Sequence, residues 1–283
     1  MIGLATDSTL PELSGGEQLL YQELLRRTEC KIVIWDDPQE LWRECSEIII
    51  RTTWNYSYHL PEFLSWIEQV ERAGIRLHNS AEIIRWNCDK KYMRDLAARG
   101  VSIPETHWIP RGTLTQELLE SVVTEPCVIK PTVSGGAKDT YRISPDNISE
   151  VAEQLKQVAI EKDLMLQSFI PEITNPGEYS LIFFRSDFSH AVLKTPAAGD
   201  YRVQSKFGGQ YQGVEVSPDA IEQARFVLEQ IPFAEAPLYA RVDGILRDEK
   251  FMLMELELIE PYLFLEFGNN AATLLASKLS FDN

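Results

Sequence analysis

A β-branched run ends in a lysine held by a proline, and a short loop with a hydroxyl and two adjacent glycines follows. This stretch, Pro126-Cys127-Val128-Ile129-Lys130-Pro131-Thr132-Val133-Ser134-Gly135-Gly136-Ala137, constrains the chain more than any other. Val, Ile and Cys suit a buried strand, and glycines let backbone approach a ligand closely. One cation at a strand end, with free N–H groups in a flexible loop, suits a phosphate chain. No Gly-Lys-Ser/Thr follows the glycines and no Gly-x-Gly-x-x-Gly turn is present, which excludes the Walker A loop and the dinucleotide turn. A strand entering a Gly-Gly turn is also an ordinary hairpin device, so the stretch gains its meaning from what lies downstream.

The chain has 283 residues, room for two or three units, and 44% hydrophobic residues can fill a core. A formal charge of −16 argues against nucleic-acid and anionic-membrane partners, which need basic stripes. An acidic protein that binds an anion must gather its cations locally or recruit a metal. No run approaches the roughly 18 apolar residues that span a bilayer, and Met1 to Leu10 lacks the basic and apolar regions of a signal peptide. Cys30, Cys45, Cys88 and Cys127 show no Cys-x-x-Cys spacing, so inert thiols in a reducing cytoplasm are expected.

Residues 1–86 read as a small α/β unit. Strands are expected at 2–5, 31–35 and 47–51, the last a near-continuous apolar run typical of a parallel sheet. One helix carries Leu19, Leu20, Leu24 and Leu25 toward one side; another, after Pro61, carries Phe63, Trp66, Ile67 and Val70. Loops after such strands gather at one sheet edge. There Arg51-Thr52-Thr53-Trp54-Asn55-Tyr56 could hold a substrate carboxylate, with an ordinary surface loop and a core Trp54 as the competing account. The register changes from residue 87, and a helix begins at Asp89, with Asn87 or Asp89 as cap, and stops at Gly100. Another helix is marked by Val151, Leu155 and Val158, and a strand over 163–170 leads into a connector. The last third is strand-rich and contains a long loop, Pro196 to Gly209, of the size that is usually functional or disordered.

Arg241-Val242-Asp243-Gly244-Ile245 is followed by Phe251-Met252-Leu253-Met254-Glu255-Leu256-Glu257. Period two puts Glu255 and Glu257 on one face, and a hairpin through Arg247-Asp248-Glu249-Lys250 brings Asp243 to it. Three converging carboxylates would repel unless a divalent cation sat among them, and oxygen ligands with a phosphate partner favour Mg²⁺. A half-exposed edge strand, polar outward, gives the same spacing.

In order along residues 85–265, these motifs resemble the ATP-grasp superfamily, in particular its glutathione-synthetase-like branch. They are Lys90, Val-Ile-Lys-Pro with its glycine loop, Gln167-Ser168-Phe169-Ile170, Gly177-Glu178, Gly199-Asp200-Tyr201-Arg202 to Gly209, and Asp243 with Glu255-x-Glu257. Residues 51–56, Arg85 to Tyr92 and Glu255 to Pro261 look like the cycloserine-synthetase-like proteins, in which ATP drives ring closure of an O-ureidoserine. The resemblance implies an α/β ATP-grasp fold in three parts. These are a substrate domain over 1–86, a middle lid domain over 87–166, and a metal-bearing C-terminal domain over 167–283, with nucleotide between the last two.

It also implies roles. Lys90 and Lys130 would hold α- and β-phosphates, and Ser134, Gly135 and Gly136 would close over the β/γ-phosphates. Gln167, Ser168, Phe169 and Ile170 would line the adenine hinge, with Val128 and Met254 as walls. Glu178 would hold the ribose, with Glu172 as fallback. Asp243, Glu255 and Glu257 would hold two Mg²⁺ ions; relatives more often carry Asn where Glu257 stands. Arg202, supported by Lys194 and Arg241, would serve the reaction, and Arg51, Thr52, Tyr56 and Tyr201 would meet substrate. The implied reaction activates a carboxylate with ATP as an acyl phosphate, which an amine attacks. This fits four scattered histidines and no Ser-His-Asp or Cys-His set. An intermolecular amino-acid or peptide ligase and a nucleotide-binding protein without ligase activity are the alternatives. The partner expected is a small amino-acid-like molecule, and the resemblance leaves a homodimer open.

Overall fold

The apolar run at 47–51 lies inside a parallel sheet. The computed structural model describes residues 1–39 and 41–280; position 40 of the first expected unit and 281–283 of the last lie outside them. Strands β1 (Ile2–Thr6), β2 (Cys30–Ile34), β3 (Glu47–Thr52) and β4 (Arg76–His78) pair in the order β2-β1-β3-β4, all parallel. Helices α1 (Gly15–Leu25) and α2 (Leu60–Arg72) connect them. Phe63, Trp66, Ile67 and Val70 are all buried along α2, which has Pro61 in its first turn. In α1 only Leu20 and Leu24 of the expected four are buried, while Leu19 and Leu25 are exposed. Residues four apart share a helix face and their immediate neighbours do not.

Helices α3 (Ala81–Asn87) and α4 (Tyr92–Ala98) come next. Of the two expected caps, Asn87 instead closes α3; Lys91 holds the N-cap position of α4 without a side-chain bond, and Asp89 serves the entry by accepting the Lys91 N–H on Oδ1 at 3.0 Å. The Asn87 amide is used elsewhere, donating to the Leu256 carbonyl at 2.9 Å and accepting from the Leu258 N–H at 2.8 Å. Gly100, at φ +91°, follows the end of α4.

The middle sheet is antiparallel and contains β5 (Thr106–Ile109), β6 (Cys127–Pro131), β7 (Tyr141–Ile143) and β8 (Leu164–Ser168) in the order β5-β8-β6-β7. It is covered by α5 (Gln116–Val122) and α6 (Ile148–Leu155); the stretch expected to be one helix divides into α6 and α7 (Val158–Glu161). The third sheet runs β11-β10-β9-β12-β13, from β9 (Glu178–Phe184), β10 (Asp187–Thr195), β11 (Gln210–Val214), β12 (Tyr239–Arg247) and β13 (Lys250–Glu257). Helix α8 (Pro218–Glu229) packs on it, and α9 (Ala271–Ser277) closes the described chain.

Two contacts tie these layers together. Tyr92, Met93 and Leu96 of α4 share a core with Phe183, Val242 and Leu253 of the third sheet. Leu275 and Leu279, near the chain's end, pack against Ile2, Leu4 and Leu20 near its beginning. No helix among the described residues is long and apolar enough to cross a membrane.

Candidate functional site

The glycine loop, the third sheet and the loops of the first unit enclose one cavity of about 1170 Å³. Strand β6 delivers Val128 and Lys130 to it because alternate positions share a face, leaving Cys127 and Ile129 buried behind. The β12–β13 register sets Asp243 opposite Glu255 and Arg241 opposite Glu257, through the hairpin that the spacing predicts. All four line the cavity with Met254. Tyr92 and Asn87 brace this strand: the Tyr92 hydroxyl accepts the Leu256 N–H at 2.9 Å, beside the two Asn87 bonds.

Lys90 joins the two sides. Its Nζ donates to the Ser134 carbonyl at 2.7 Å and lies 3.2 Å from Glu255 Oε1. Glu255 is held below the usual carboxylate range: burial opposes its charge, but Lys90 and Lys130 outweigh it. Burial lowers the Lys130 ammonium, and Glu255 partly offsets that. Lys194 Nζ lies 2.6 Å from Glu178 and 2.9 Å from Asp243. Arg241 bonds Asp243 through Nε at 3.0 Å and also pairs with Glu257. Burial works against the Asp243 anion, yet Arg241 and Lys194 hold its pKa down to about 2. Glu257 goes the other way, pushed up to about 7 by burial and by repulsion from Glu255 and Asp243, despite Arg241. Glu260 is pushed up to about 8 by burial, with Glu257 adding to it.

The three carboxylates do share one cavity wall, but cations stand among them where only apolar walls were expected. Each faces a lysine or arginine, and among the described residues no group of three or more is arranged to hold a metal ion. The donor set still fits Mg²⁺: all-oxygen ligands on one cavity wall, whose mutual repulsion a divalent cation would relieve.

The remaining expected residues divide clearly. Ser134, Gly135, Gly136, Gln167, Ser168, Phe169, Ile170, Glu178, Lys194, Tyr201 and Arg202 line the cavity, and so does Tyr56. Glu172 does not; it pairs with Arg247 at the surface. Gly177 precedes Glu178 at φ +132°, where a Cβ would lie 2.5 Å from the Lys194 carbonyl, so only glycine lets β9 start there. Gly135 abuts the first unit, with Ser57 Oγ 3.3 Å from where its Cβ would be, and Lys138 Nζ sits 4.2 Å from the Tyr58 ring. Arg202 chelates Asp200 at 2.8 Å and lies over Phe207 at 3.7 Å, one third exposed toward the cavity.

Arg51 and Thr52 are corrected outright. Neither lines the cavity, and both are fully buried. Arg51 forks onto Glu17 at 2.8 and 2.9 Å, donates to the Pro261 carbonyl at 2.6 Å and stacks on Tyr239 at 4.4 Å. Thr52 donates to Thr6 Oγ1 at 2.7 Å. The loop itself does reach the cavity through Trp54, Asn55 and Tyr56. Trp54, which the competing account placed in the core, is exposed and donates to the Glu260 carbonyl at 3.1 Å. Asp36 holds this end in order, accepting from Ser8 Oγ at 2.7 Å and from Asn55 Nδ2 at 2.8 Å. Sequence reading passed over Asp36, Tyr58 and Glu260 as cavity residues. Glu260 carried a signal, an acid three residues beyond Glu257 of the alternating face and next to a proline.

Two family models match the chain. One describes the N-terminal domain of the D-cycloserine synthetase DcsG and matches residues 2–79; the other describes the ATP-grasp domain of prokaryotic glutathione synthetase and matches residues 102–245, just over half the chain. The cycloserine biosynthesis protein DcsG of Streptomyces lavendulae is 28% identical over 259 residues, covering 87% of this chain and 86% of that protein. A glutathione synthetase of Bradyrhizobium diazoefficiens is 30% identical over 93 residues, 32% of this chain and 29% of its own length. The crystal structure of D-cycloserine synthetase DcsG shares the fold at a TM-score of 0.86 and 24% identity, over 98% of this chain and 97% of that one. A D-alanine–D-alanine ligase from Bacillus anthracis complexed with ATP does so at 0.68 and 16%, over 98% and 94%.

Proposed function

The chain belongs to the ATP-grasp family, in its prokaryotic glutathione synthetase group, and from that premise we propose that it joins a carboxylate to an amine through an acyl phosphate. It is an ATP-dependent ligase. One observation carries the finer reading: Lys90 and Lys130 from the middle of the chain and Asp243, Glu255 and Glu257 from its end line one cavity large enough for a nucleotide and a second molecule.

In this reading Val128, Met254 and the 167–170 hinge enclose adenine, Glu178 meets the ribose, and Lys90 and Lys130 bear on the phosphates. The glycine loop covers them and keeps water out. Asp243, Glu255 and Glu257 would hold Mg²⁺, which when bound neutralises phosphate charge. The γ-phosphoryl group passes to a substrate carboxylate oxygen and ADP leaves. The amine then attacks the carbonyl carbon, phosphate departs with the C–O bonding pair, and the nitrogen loses its proton. Arg202, aimed from its loop and fixed by Asp200, stabilises the oxyanion between those steps. Positioning and charge neutralisation carry such a reaction. Tyr56 and Tyr201 bound the acceptor end. The substrate is amino-acid-like, and ring closure of a single molecule is favoured by the DcsG match over residues 2–79, the unit that contributes the acceptor end. Joining of two molecules is the second reading, favoured by the glutathione synthetase match. The four buried, free thiols suit a reducing cytoplasm.

The test is ADP release from Mg·ATP against a panel of amino acids, with product masses recorded. A product derived from one substrate molecule supports cyclisation, and one derived from two supports the second reading. Mg·ATP binding without any amino-acid-dependent ADP would refute both.

A further inference from the structure

Among the described residues, each acid that lines the cavity has a side-chain partner except one, while Lys130 and Lys206 line it without an ion pair. Lys90 meets Glu255, Lys194 meets Glu178 and Asp243, Arg241 meets Asp243 and Glu257, and Arg202 meets Asp200. Glu260 is left over. Its half-buried carboxylate lines the cavity with only its own backbone N–H as donor, and no lysine, arginine or side-chain donor bonds it among the described residues. Lys90 and Arg241 are within electrostatic reach, but both are bonded to other acids.

A partly buried carboxylate without a counter-ion is costly, and its environment gains most from a cation brought by the ligand. The same cavity also carries aromatic rings that suit an organic cation. Trp54 is fastened to the residue 260 carbonyl at 3.1 Å, and the Trp54 and Tyr262 rings stand edge to face, 6.4 Å apart. Both line the cavity. The Glu260 carboxylate acts most on the Tyr56 hydroxyl, which lines the same cavity, and a cavity that offers a carboxylate and aromatic rings can recognise an ammonium through an ion pair and cation–π attraction. Burial holds the Glu260 proton on, and an ammonium placed against it would favour the anion, whereas a second anion would not.

We propose that Glu260 selects the amino end of the substrate, its carboxylate receiving a primary ammonium in the cavity that Tyr56, Trp54 and Tyr262 also line. This rests on the ligase reading and adds the polarity of the substrate: ammonium toward Glu260, reacting carboxylate toward Arg202 and the phosphates. It also replaces Arg51 with Glu260 as the charged group that reads the substrate from the side of the first unit.

The experiment measures ADP release by the wild-type protein and by Glu260→Gln. The panel holds amino acids of both hands with their N-acetyl and 2-hydroxy counterparts, and Mg·ATP affinity is measured by calorimetry on both proteins. The expected result is stimulation only by compounds with a free amine, a KM for them raised about 10- to 100-fold in Glu260→Gln, and unchanged Mg·ATP affinity. Stimulation by the N-acetyl or 2-hydroxy compounds to the same degree overturns the proposal, as does an unchanged KM. Weakened Mg·ATP binding in Glu260→Gln overturns it too, by placing the residue with the metal. If Mg·ATP binds and no compound stimulates the wild type, the ligase reading itself fails and this inference goes with it. Should Glu260→Gln not fold, Glu260→Asp keeps the charge and withdraws it, and the same KM comparison applies, with an unchanged KM counting against the proposal.

Discussion

Lys90 Nζ lies 3.2 Å from Glu255 Oε1, although 165 positions of sequence (255 minus 90) separate them. The pair joins the turn before α4 to β13, and the same ammonium holds the Ser134 carbonyl of the glycine loop at 2.7 Å. The glycine-loop side and the acidic side are thus two walls of one cavity.

Arg202 is fixed by Asp200 but remains partly open to the cavity. Arg202→Ala should lower kcat by about 10²- to 10³-fold, the loss of one aimed oxyanion partner, with thermal stability nearly unchanged. Arg202→Lys should recover part of the rate. Steady-state ADP release on both variants checks this, and a loss expressed only in KM would count against the assigned role.

Arg51 predicts the opposite pattern. Removing one partner of a buried pair leaves the other charge unpaired, at a cost of about 3–5 kcal/mol. Arg51→Met should therefore unfold at markedly lower temperature, while the folded fraction keeps its KM values. Combining it with Glu17→Leu should restore much of the loss. Denaturant titration of the two single variants and the double variant is the measurement.

These two arginines show what was legible in the sequence. The strand at Val128–Lys130 and the alternating Glu255 and Glu257 could be read because period two assigns faces and the short 247–250 connection sets the register. The role of Arg51 could not, since its partner Glu17 comes from another element, α1, and the burial of both depends on chain from Pro261 and Tyr239. Asn87 was misread for the same reason: a cap is a local bond, whereas its amide bridges to β13. Period two gathers the acids on one wall, but the cations facing each of them arrive from β10, β12 and the turn before α4. Local pattern gives faces and turns; long-range pairing decides which charges are spent on each other.

Glu178 lines the cavity beside Lys194, whereas Glu172 is tied to Arg247 outside it. The wild-type protein should prefer ATP over 2′-deoxy-ATP, and Glu178→Gln should lose most of that preference, about 1.5–3 kcal/mol for a hydrogen bond to a charged group. Glu172→Gln should keep it. Competition between the two nucleotides in ADP release reads this directly.

Glu257 gives a pH signature. Its folded pKa of about 7 lies above the ordinary 4.5, so the folded state holds the proton more tightly than the unfolded chain does. Its contribution is fully present below 4.5 and is lost as pH rises through about 7. Without metal, stability should fall over that window, and Glu257→Gln should flatten the fall. Thermal unfolding at several pH values in chelator measures it, and added Mg²⁺, which needs the anion, should stabilise the wild type more at pH 8 than at pH 6.

The central claim is that cations from mid-chain and acids from the chain's end hold one Mg·ATP. Calorimetric titration of Mg·ATP into Lys130→Met and Glu255→Gln tests it most directly. The account predicts that each weakens binding at least about tenfold, and that the combined variant loses less than the sum, because both act on the same phosphates. Unchanged affinity in either folded single variant would contradict it.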